Sequence, residues 1–350
     1  MPFPGTQDIR TLFPRGFNAS GTGSGGGSDT DGTVGSGTVM PASPVNPAFP
    51  TRIYGQDFLT DCNRGSFLAT YKGSRTYNLA EAAAGNGIMD AYPTTYHDTR
   101  SKHVSELVDG RYGMYDPGGL SVSNSVMHQR IWFDPTLVMG GVTGHMRVSC
   151  PVPKLSATSW GYVGSSRVSV RARCVTPMPT IKVAWLGWPQ NNASTTKATA
   201  GIPDSTSPTG FRGGDGELDW PEQDPLTSSD TCGWFMHKQN ALSSDTNSTP
   251  IYGNKQTSGR STVNFADGQW HTYTWERIVG SYNTSTKTWV GQSWKCFVDG
   301  VQIGTTQTQA VPMTPMRYAL QTETTLSYST PLNTSVDGDV EVDWITVDVP

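Results

Sequence analysis

The chain has 350 residues, a formal net charge of -4 and only 15% Asp, Glu, Lys and Arg, against about 25% in an ordinary soluble domain. That excludes a helical bundle or coiled coil, which needs Ala, Leu, Glu and Lys in quantity, and gives no basic field for nucleic acid or an anionic bilayer. No run of about 18 apolar residues occurs, so no helical membrane insertion is expected, whereas 39 Gly, 24 Pro, 11 Trp, 13 Tyr and 11 Phe suit an all-β protein.

The first segment, Met1-Pro-Phe-Pro-Gly-Thr-Gln-Asp8, lacks the basic stretch and apolar run of a secretory signal. Residues 1–17 carry Phe3, Ile9, Leu12, Phe13 and Phe17 among prolines, too few to fold alone but apolar enough to dock. Residues 18–38 are rich in Gly, Ser and Thr and read as flexible coil. They hold no lysine for a phosphate loop, and Asp29 and Asp31 supply only half a calcium loop. Pro41, Pro44, Pro47 and Pro50 follow at a spacing that favours a stiff extended spacer. Residues 1–50 therefore read as an N-terminal docking arm and linker, with residues 1–20 as its contact tip.

From residue 51 the period is two. Met146, Val148 and Cys150 alternate with His145, Arg147 and Ser149, and Val168, Val170, Ala172 and Cys174 with Arg167, Ser169, Arg171 and Arg173. Each pattern predicts a strand with one buried and one wet face. Ile181 to Trp188 is nearly all apolar and predicts a central strand. Asp299-Gly300 predicts a type I′ hairpin, and Asp337-Gly338 repeats the device before the last strand. Leu79 to Ala84 is the one short helical stretch. Cys62, Cys150, Cys174, Cys232 and Cys296 are scattered and form no CxxC pair, so buried free thiols are expected rather than a zinc site or a disulfide framework. Many strands without a repeat predict one two-sheet antiparallel β-sandwich of jelly-roll type over residues 51–350.

The sharpest feature is Gly213-Gly-Asp-Gly-Glu-Leu-Asp-Trp-Pro-Glu222. In a strand Glu217 and Asp219 share a face, and Glu222 has the opposite parity. One inserted residue, a β-bulge, returns Glu222 to that face, and Pro221, which cannot donate to a ladder, is tolerated at a bulge. Three crowded carboxyls repel, which a charge-poor chain has little reason to arrange by accident; a polar turn with solvated acids is the other reading of so short a motif. Retaining glycoside hydrolysis does need such crowding: two carboxyls ~5–5.5 Å apart serve as nucleophile and acid/base.

Glu217-Leu-Asp-Trp-Pro-Glu222 resembles the bulged signature of glycoside hydrolase family 16, the laminarinase-like β-glucanases. Arg167 to Arg173, Val183-Ala-Trp-Leu-Gly-Trp-Pro189, Phe235-Met-His237, Trp270-His-Thr-Tyr-Thr-Trp-Glu-Arg277, Phe297 to Gly304, Pro315 to Glu323 and Val342 to Val347 are similar to its other strands, in order, over residues 51–350. Leu218 and Trp220 depart mildly from the commoner Ile flanks, and residues 76–130 depart more. The resemblance implies Glu217 as nucleophile, Glu222 as acid/base and Asp219 as the group between them that tunes their protonation. Trp188, Trp220 and Trp234 are sugar platforms or core residues. His237 bonds a sugar or the nucleophile, or is structural. Arg317, Gln321 and Glu323 share one face of a late strand, opposite Met316, Tyr318 and Leu320, and suit a cleft wall. No cofactor is required; the family's structural calcium would find a ligand at Asp343.

Polysaccharide is the expected partner. Three readings follow: a retaining endo-glycanase carried on a bacteriophage minor tail or decoration protein, docked on other virion subunits through residues 1–20; a secreted bacterial β-glucanase without its signal; and a non-catalytic glycan-binding virion protein.

Overall fold

The period-two segments pair into strands in the structure, a computed structural model. It describes residues 39–58, 62–64, 68–69, 89–92, 97–155, 163–189, 202–203, 211–212, 216–238, 255–283, 285, 288–308, 311–312 and 315–350. The expected docking tip, the glycine-rich coil and the Leu79 to Ala84 helix lie outside the described residues.

Two sheets face each other, as the sandwich reading requires. The outer sheet runs, strand by strand, Val301–Gln307, Ser293–Val298, His271–Ile278, Ser166–Cys174, Asp337–Val349, Val126–Met139, Val142–Val148 and Gly113–Tyr115. Thr51–Gln56 and Leu120–Ser123 pair with its members. The Gly113–Tyr115 pairing with Val142–Val148 is parallel, a departure at the rim from the antiparallel rule. The inner sheet has the order Lys255–Arg260, Gly233–Lys238, Gly216–Gln223, Ile181–Pro189, Met316–Thr324. The strand bearing the three acids is thus its middle member, and Ile181–Pro189 is internal as its apolar run predicts.

Between the sheets lies an aromatic core. Trp185 and Trp220 each meet Tyr273 edge-on, at centroid distances of 5.9 and 6.0 Å. Trp275 packs on Tyr318 at 5.0 Å, and Trp234 stands perpendicular to Trp294 at 5.5 Å. Such pairs add about 0.5–1.5 kcal/mol each beyond the area they bury. Cys150, Cys174, Cys232 and Cys296 are buried free thiols and Cys62 is a partly buried one, as expected.

Three expectations need correction. First, the alternate faces of two outer strands are not wet. Arg167 and Arg171 are buried because each is paired sideways, Arg167 Nη1 to Glu276 Oε1 at 2.9 Å and Arg171 Nε to Asp343 Oδ2 at 3.0 Å; His145 is fully buried against the carbonyls of Tyr112 and Val142. Second, the end of the proline-rich stretch docks instead of standing off. Phe49 is buried, Asn46 donates to Glu276, and Arg52 donates to the Pro41 carbonyl and pairs with Asp348. Third, Asp337 and Gly338 are not a turn; they open the last strand, opposite Trp132 and Ile131.

The other hairpin follows its sequence. Val298 pairs with Val301 across a two-residue loop in which Asp299 and Gly300 have φ of 48° and 79°, the two positive angles a type I′ turn requires. Asp299 also clamps the hairpin base. Its Oδ2 lies 2.6 Å from His271 Nδ1, while Asp267 Oδ2 lies 3.1 Å from Nε2. Burial opposes the imidazolium, but the hydrogen bonds and charges of these two carboxylates outweigh it and raise the His271 pKa above its ordinary value. Burial of Asp299 is likewise outweighed by its bonds to His271 and the Thr272 amide, so its carboxyl is held below the ordinary range. A raised histidine stabilises fully below its unfolded pKa and loses the contribution as pH rises through the folded one. A depressed aspartate stabilises above its unfolded pKa and loses the contribution as pH falls. Both are present at about pH 5–6. Thermal melts of His271→Gln should therefore show a loss of about 2 kcal/mol in that window, shrinking as pH rises through the raised folded pKa of His271; a loss independent of pH would refute this clamp.

Candidate active site

The acids are placed by a register slip. Asp219 pairs with Phe235 and Glu222 with Gly233 on one neighbouring strand; Asp219 pairs with Leu186 and Glu222 with Ala184 on the other. Three steps on the acid strand answer two on each flank, so one residue is extra on both sides. The slip falls at Trp220-Pro221, whose peptide bond is cis. Leu218 and Trp220 enter the inter-sheet core, so Glu217 and Asp219 face outward. The extra residue brings Glu222 back to their side, as the sequence predicts.

The environments of the three differ. Glu217 and Glu222 are half-buried. Asp219 is only 2% exposed. Burial raises its pKa well above the usual carboxylate range, the Glu222 charge adds to this, and the Lys182 charge and a hydrogen bond with Glu217 only partly offset it. Burying a lone carboxylate costs far more than keeping a proton, so of the three carboxyls Asp219 is the one whose burial favours the neutral form.

The same outward face carries further groups. Trp188, half-buried, stands opposite Arg317 in the register, so it lies on the same outward face as the acids. Phe235 stands opposite Asp219, and its ring lies over Gly233, the residue facing Glu222. A Cβ at 233 would meet that ring at 2.9 Å, which is why glycine is needed there. Sequence reasoning had not singled out Phe235, although it shares the parity of His237. His237 is opposite Glu217 in the backbone register; its side chain lies outside the described residues.

Two platform candidates are displaced. Trp220 and Trp234 are 3% and 4% exposed and point between the sheets. Trp220 Nε1 donates to the Phe297 carbonyl of the opposite sheet at 3.2 Å, and Trp234 packs on Trp294. Both are core residues because they alternate with the outward positions.

Arg317, Gln321 and Glu323 do share the outward face, but they form a covered polar layer in place of the expected open cleft wall. All three are at least nine-tenths buried. Arg317 Nη2 donates to the Tyr92 hydroxyl at 2.6 Å, with the guanidinium carbon 5.6 Å from that ring centre. Glu323 Oε1 accepts from the Thr99 amide at 3.1 Å, the Thr99 hydroxyl at 2.7 Å and the Tyr115 hydroxyl at 2.6 Å. Its Oε2 lies 3.0 Å from Lys182 Nζ. Burial works against ionisation of Glu323, yet Lys182 and these donors hold its carboxyl below the ordinary value. Burial likewise opposes the Lys182 ammonium, but Glu323, Glu222 and Asp224 keep it charged. Beside them Asp98 accepts from the Gly113 and Thr324 amides and the Thr324 hydroxyl, and burial, with the Glu323 charge, pushes it up to about 7. Lys182, Asp98, Thr99, Tyr92 and Tyr115 were not foreseen; a lone lysine inside Ile181–Trp188 was the one available signal.

Asp343 lies on the outer sheet and its carboxylate is committed to Arg171. Among the described residues no group of three or more His, Cys, Asp or Glu side chains is arranged to hold a metal ion.

No family model matches the chain, and no curated protein matches it. Solved structures do. The chain is similar to LamAcat from Zobellia galactanivorans at 16% identity, covering 86% of this chain and 98% of that one, with a TM-score of 0.51. It is similar to SCLam, a non-specific endo-β-1,3(4)-glucanase from family GH16, at 12% identity, 88% and 93% coverage and a TM-score of 0.52. It is also similar to the endo-β-1,3-glucanase from Pyrococcus furiosus at 12% identity, 85% and 94% coverage and a TM-score of 0.52. What is shared at this level is the jelly-roll fold.

If Trp220 is a core residue, Trp220→Ala should cost about 3–5 kcal/mol of stability, read as a lowered thermal midpoint. Trp188→Ala should leave the midpoint close to that of the parent. Equal, small effects of both substitutions would reverse the placement.

Proposed function

We propose that the domain is a retaining endo-β-glycanase acting on a β-linked glucan or a related envelope polysaccharide. The observation that carries this is the bulge that gathers Glu217, Asp219 and Glu222 on one face, with a fully buried Asp219 between two half-buried glutamates. Glu217 attacks the anomeric carbon while Glu222 gives its proton to the departing glycosidic oxygen, leaving a covalent glycosyl-enzyme. Glu222 then takes a proton from water, whose oxygen displaces Glu217 and restores the configuration. Asp219, hydrogen-bonded with Glu217, keeps the middle of the cluster neutral, so the two glutamates do not face a third charge. Trp188 and Phe235 offer flat apolar surface to the C–H face of a pyranose. The β-1,3- or mixed-linkage preference follows the glucanases that share the fold. Calcium bound near Asp343 would be an addition to this reading and no step depends on it.

The expected result is that Glu217→Gln stays folded and releases no reducing sugar from laminarin or mixed-linkage β-glucan, a loss of at least about 10³-fold given an absent nucleophile. Glu222→Ala should be rescued by azide on an aryl glycoside and yield the β-glycosyl azide, since a good leaving group needs no acid and azide needs no base. A parent enzyme inert on β-glucans, β-galactans and bacterial wall polysaccharide, yet binding one of them, would replace this reading by a glycan-binding one.

The setting is part of the same proposal and is supported by the composition of residues 1–50 alone: a virion-associated protein held through residues 1–20. Deleting residues 1–38 should leave the sandwich folded and remove it from particles; normal incorporation would overturn the docking arm.

A further inference from the structure

The Lys182–Glu323 pair is an unusual object to bury beside a cluster of acids. Both side chains are nearly inaccessible, at 7% and 1% of their side-chain surface, and their charged atoms are 3.0 Å apart. An ion pair buried this deeply seldom repays its desolvation, so a further role is worth seeking. The register supplies one. Ala184 stands opposite Glu222 and Val183 opposite Gln223, so Lys182 on the same outward face is a diagonal neighbour of Glu222. Such neighbours are ~7–8 Å apart, within reach of a long side chain. Glu323 faces Lys182 from the other flanking strand and is itself fixed by Thr99 and Tyr115. The ammonium is thereby held at one end of the acid row and cannot swing out to solvent.

We propose that Lys182 is a positioning residue for the acid/base, a buried ammonium clamped by Glu323 that biases Glu222 toward its ionised form. This deepens the glycanase reading and rests on it for its catalytic consequence. The second half of a retaining cycle needs Glu222 as a base, and a fixed cation one row away favours that form. The groups facing Lys182 are Glu323 from one flanking strand, Glu222, Asp219 and Asp224 from the other, and Tyr328 from the loop beyond Thr324. Those facing Glu222 include Lys182 and Asp219; the residue opposite it on the third strand is Gly233, which carries no charge. Arg317 lies at the far end of the same face, engaged with Tyr92.

The test titrates Glu222 directly. Protein carrying ¹³C-labelled glutamate carboxyls is followed by NMR, with Glu222→Gln to assign the signal. Because Lys182→Met alone strands the Glu323 charge, the deciding variant is Lys182→Met with Glu323→Gln, which removes both charges. The expected midpoint of Glu222 rises by about one pH unit in the folded double variant, and the basic limb of kcat/KM on laminarin moves up with it. Lys182→Arg should keep the parent midpoint. A folded double variant with an unmoved Glu222 midpoint would make the pair purely structural and overturn the inference, even if hydrolysis by the parent is confirmed. A moved midpoint in a protein that hydrolyses no glucan would instead uphold the electrostatic coupling and defeat the glycanase reading.

Discussion

One extra residue in one strand organises the site. A regular strand through Glu217 and Asp219 would send Glu222 into the inter-sheet core, where an ionised carboxylate is untenable. The slip at Trp220-Pro221 occurs against both flanking strands at once. A bulge against one neighbour would bend the sheet edge; a slip against two needs both neighbours to yield together. They do so with small residues: Ala184 and Gly233 are the partners of Glu222. The bulge, the glycine beneath the Phe235 ring and the alanine across from it are one solution to one steric problem.

Charge placement follows from the same scarcity that marks the composition. With few ionisable groups, the domain keeps several of them dry and paired sideways within a sheet: Arg167 with Glu276, Arg171 with Asp343, Lys182 with Glu323. Sideways pairing keeps these charges off the inner faces, where Trp185 and Trp220 pack against Tyr273. It also explains why faces read as wet are buried. An arginine in alternation looks solvent-facing in a sequence, but a carboxylate on the adjacent strand satisfies it without water.

How much of this was legible depends on the range of the cause. Alternation is local, so the strands, the sandwich and the Asp299-Gly300 turn were readable. So was the bulge, because parity and Pro221 sit within one hexapeptide. Trp220 and Trp234 stood open between platform and core by composition, and it is the same parity rule that puts them inside. Asp337-Gly338 fits the turn composition, but its pairing with Trp132 and Ile131 comes from residues far upstream. Lys182 escaped notice because a single lysine does not break an apolar run, and its partner Glu323 is on another strand. The cover over Arg317 and Glu323 was unreadable for a different reason. Over Glu323 it is built by Asp98 and by Thr99 and Arg100 at the start of a 3₁₀ segment with no periodicity, held by hydrogen bonds to Thr324, Glu323 and the carbonyls of Thr325 and Thr330; over Arg317 it is Tyr92.

That cover bears on what the domain can accept. The Met316–Thr324 strand is buried along its whole length, and its outward charged groups, Arg317 and Glu323, are spent on Tyr92, Tyr115, Thr99 and Lys182. A ligand reaching the acids therefore gains little from that side without breaking a satisfied buried network, a loss of roughly 1–3 kcal/mol for each polar group left unpaired. The half-buried groups beside the acids are instead Trp188, on the adjoining strand, and Phe235, across from Asp219. Both present flat apolar faces, and stacking on such a face does not by itself discriminate among pyranoses by hydrogen bonding. Under the proposed glycanase reading, selectivity between sugars then falls to the segments connecting these strands.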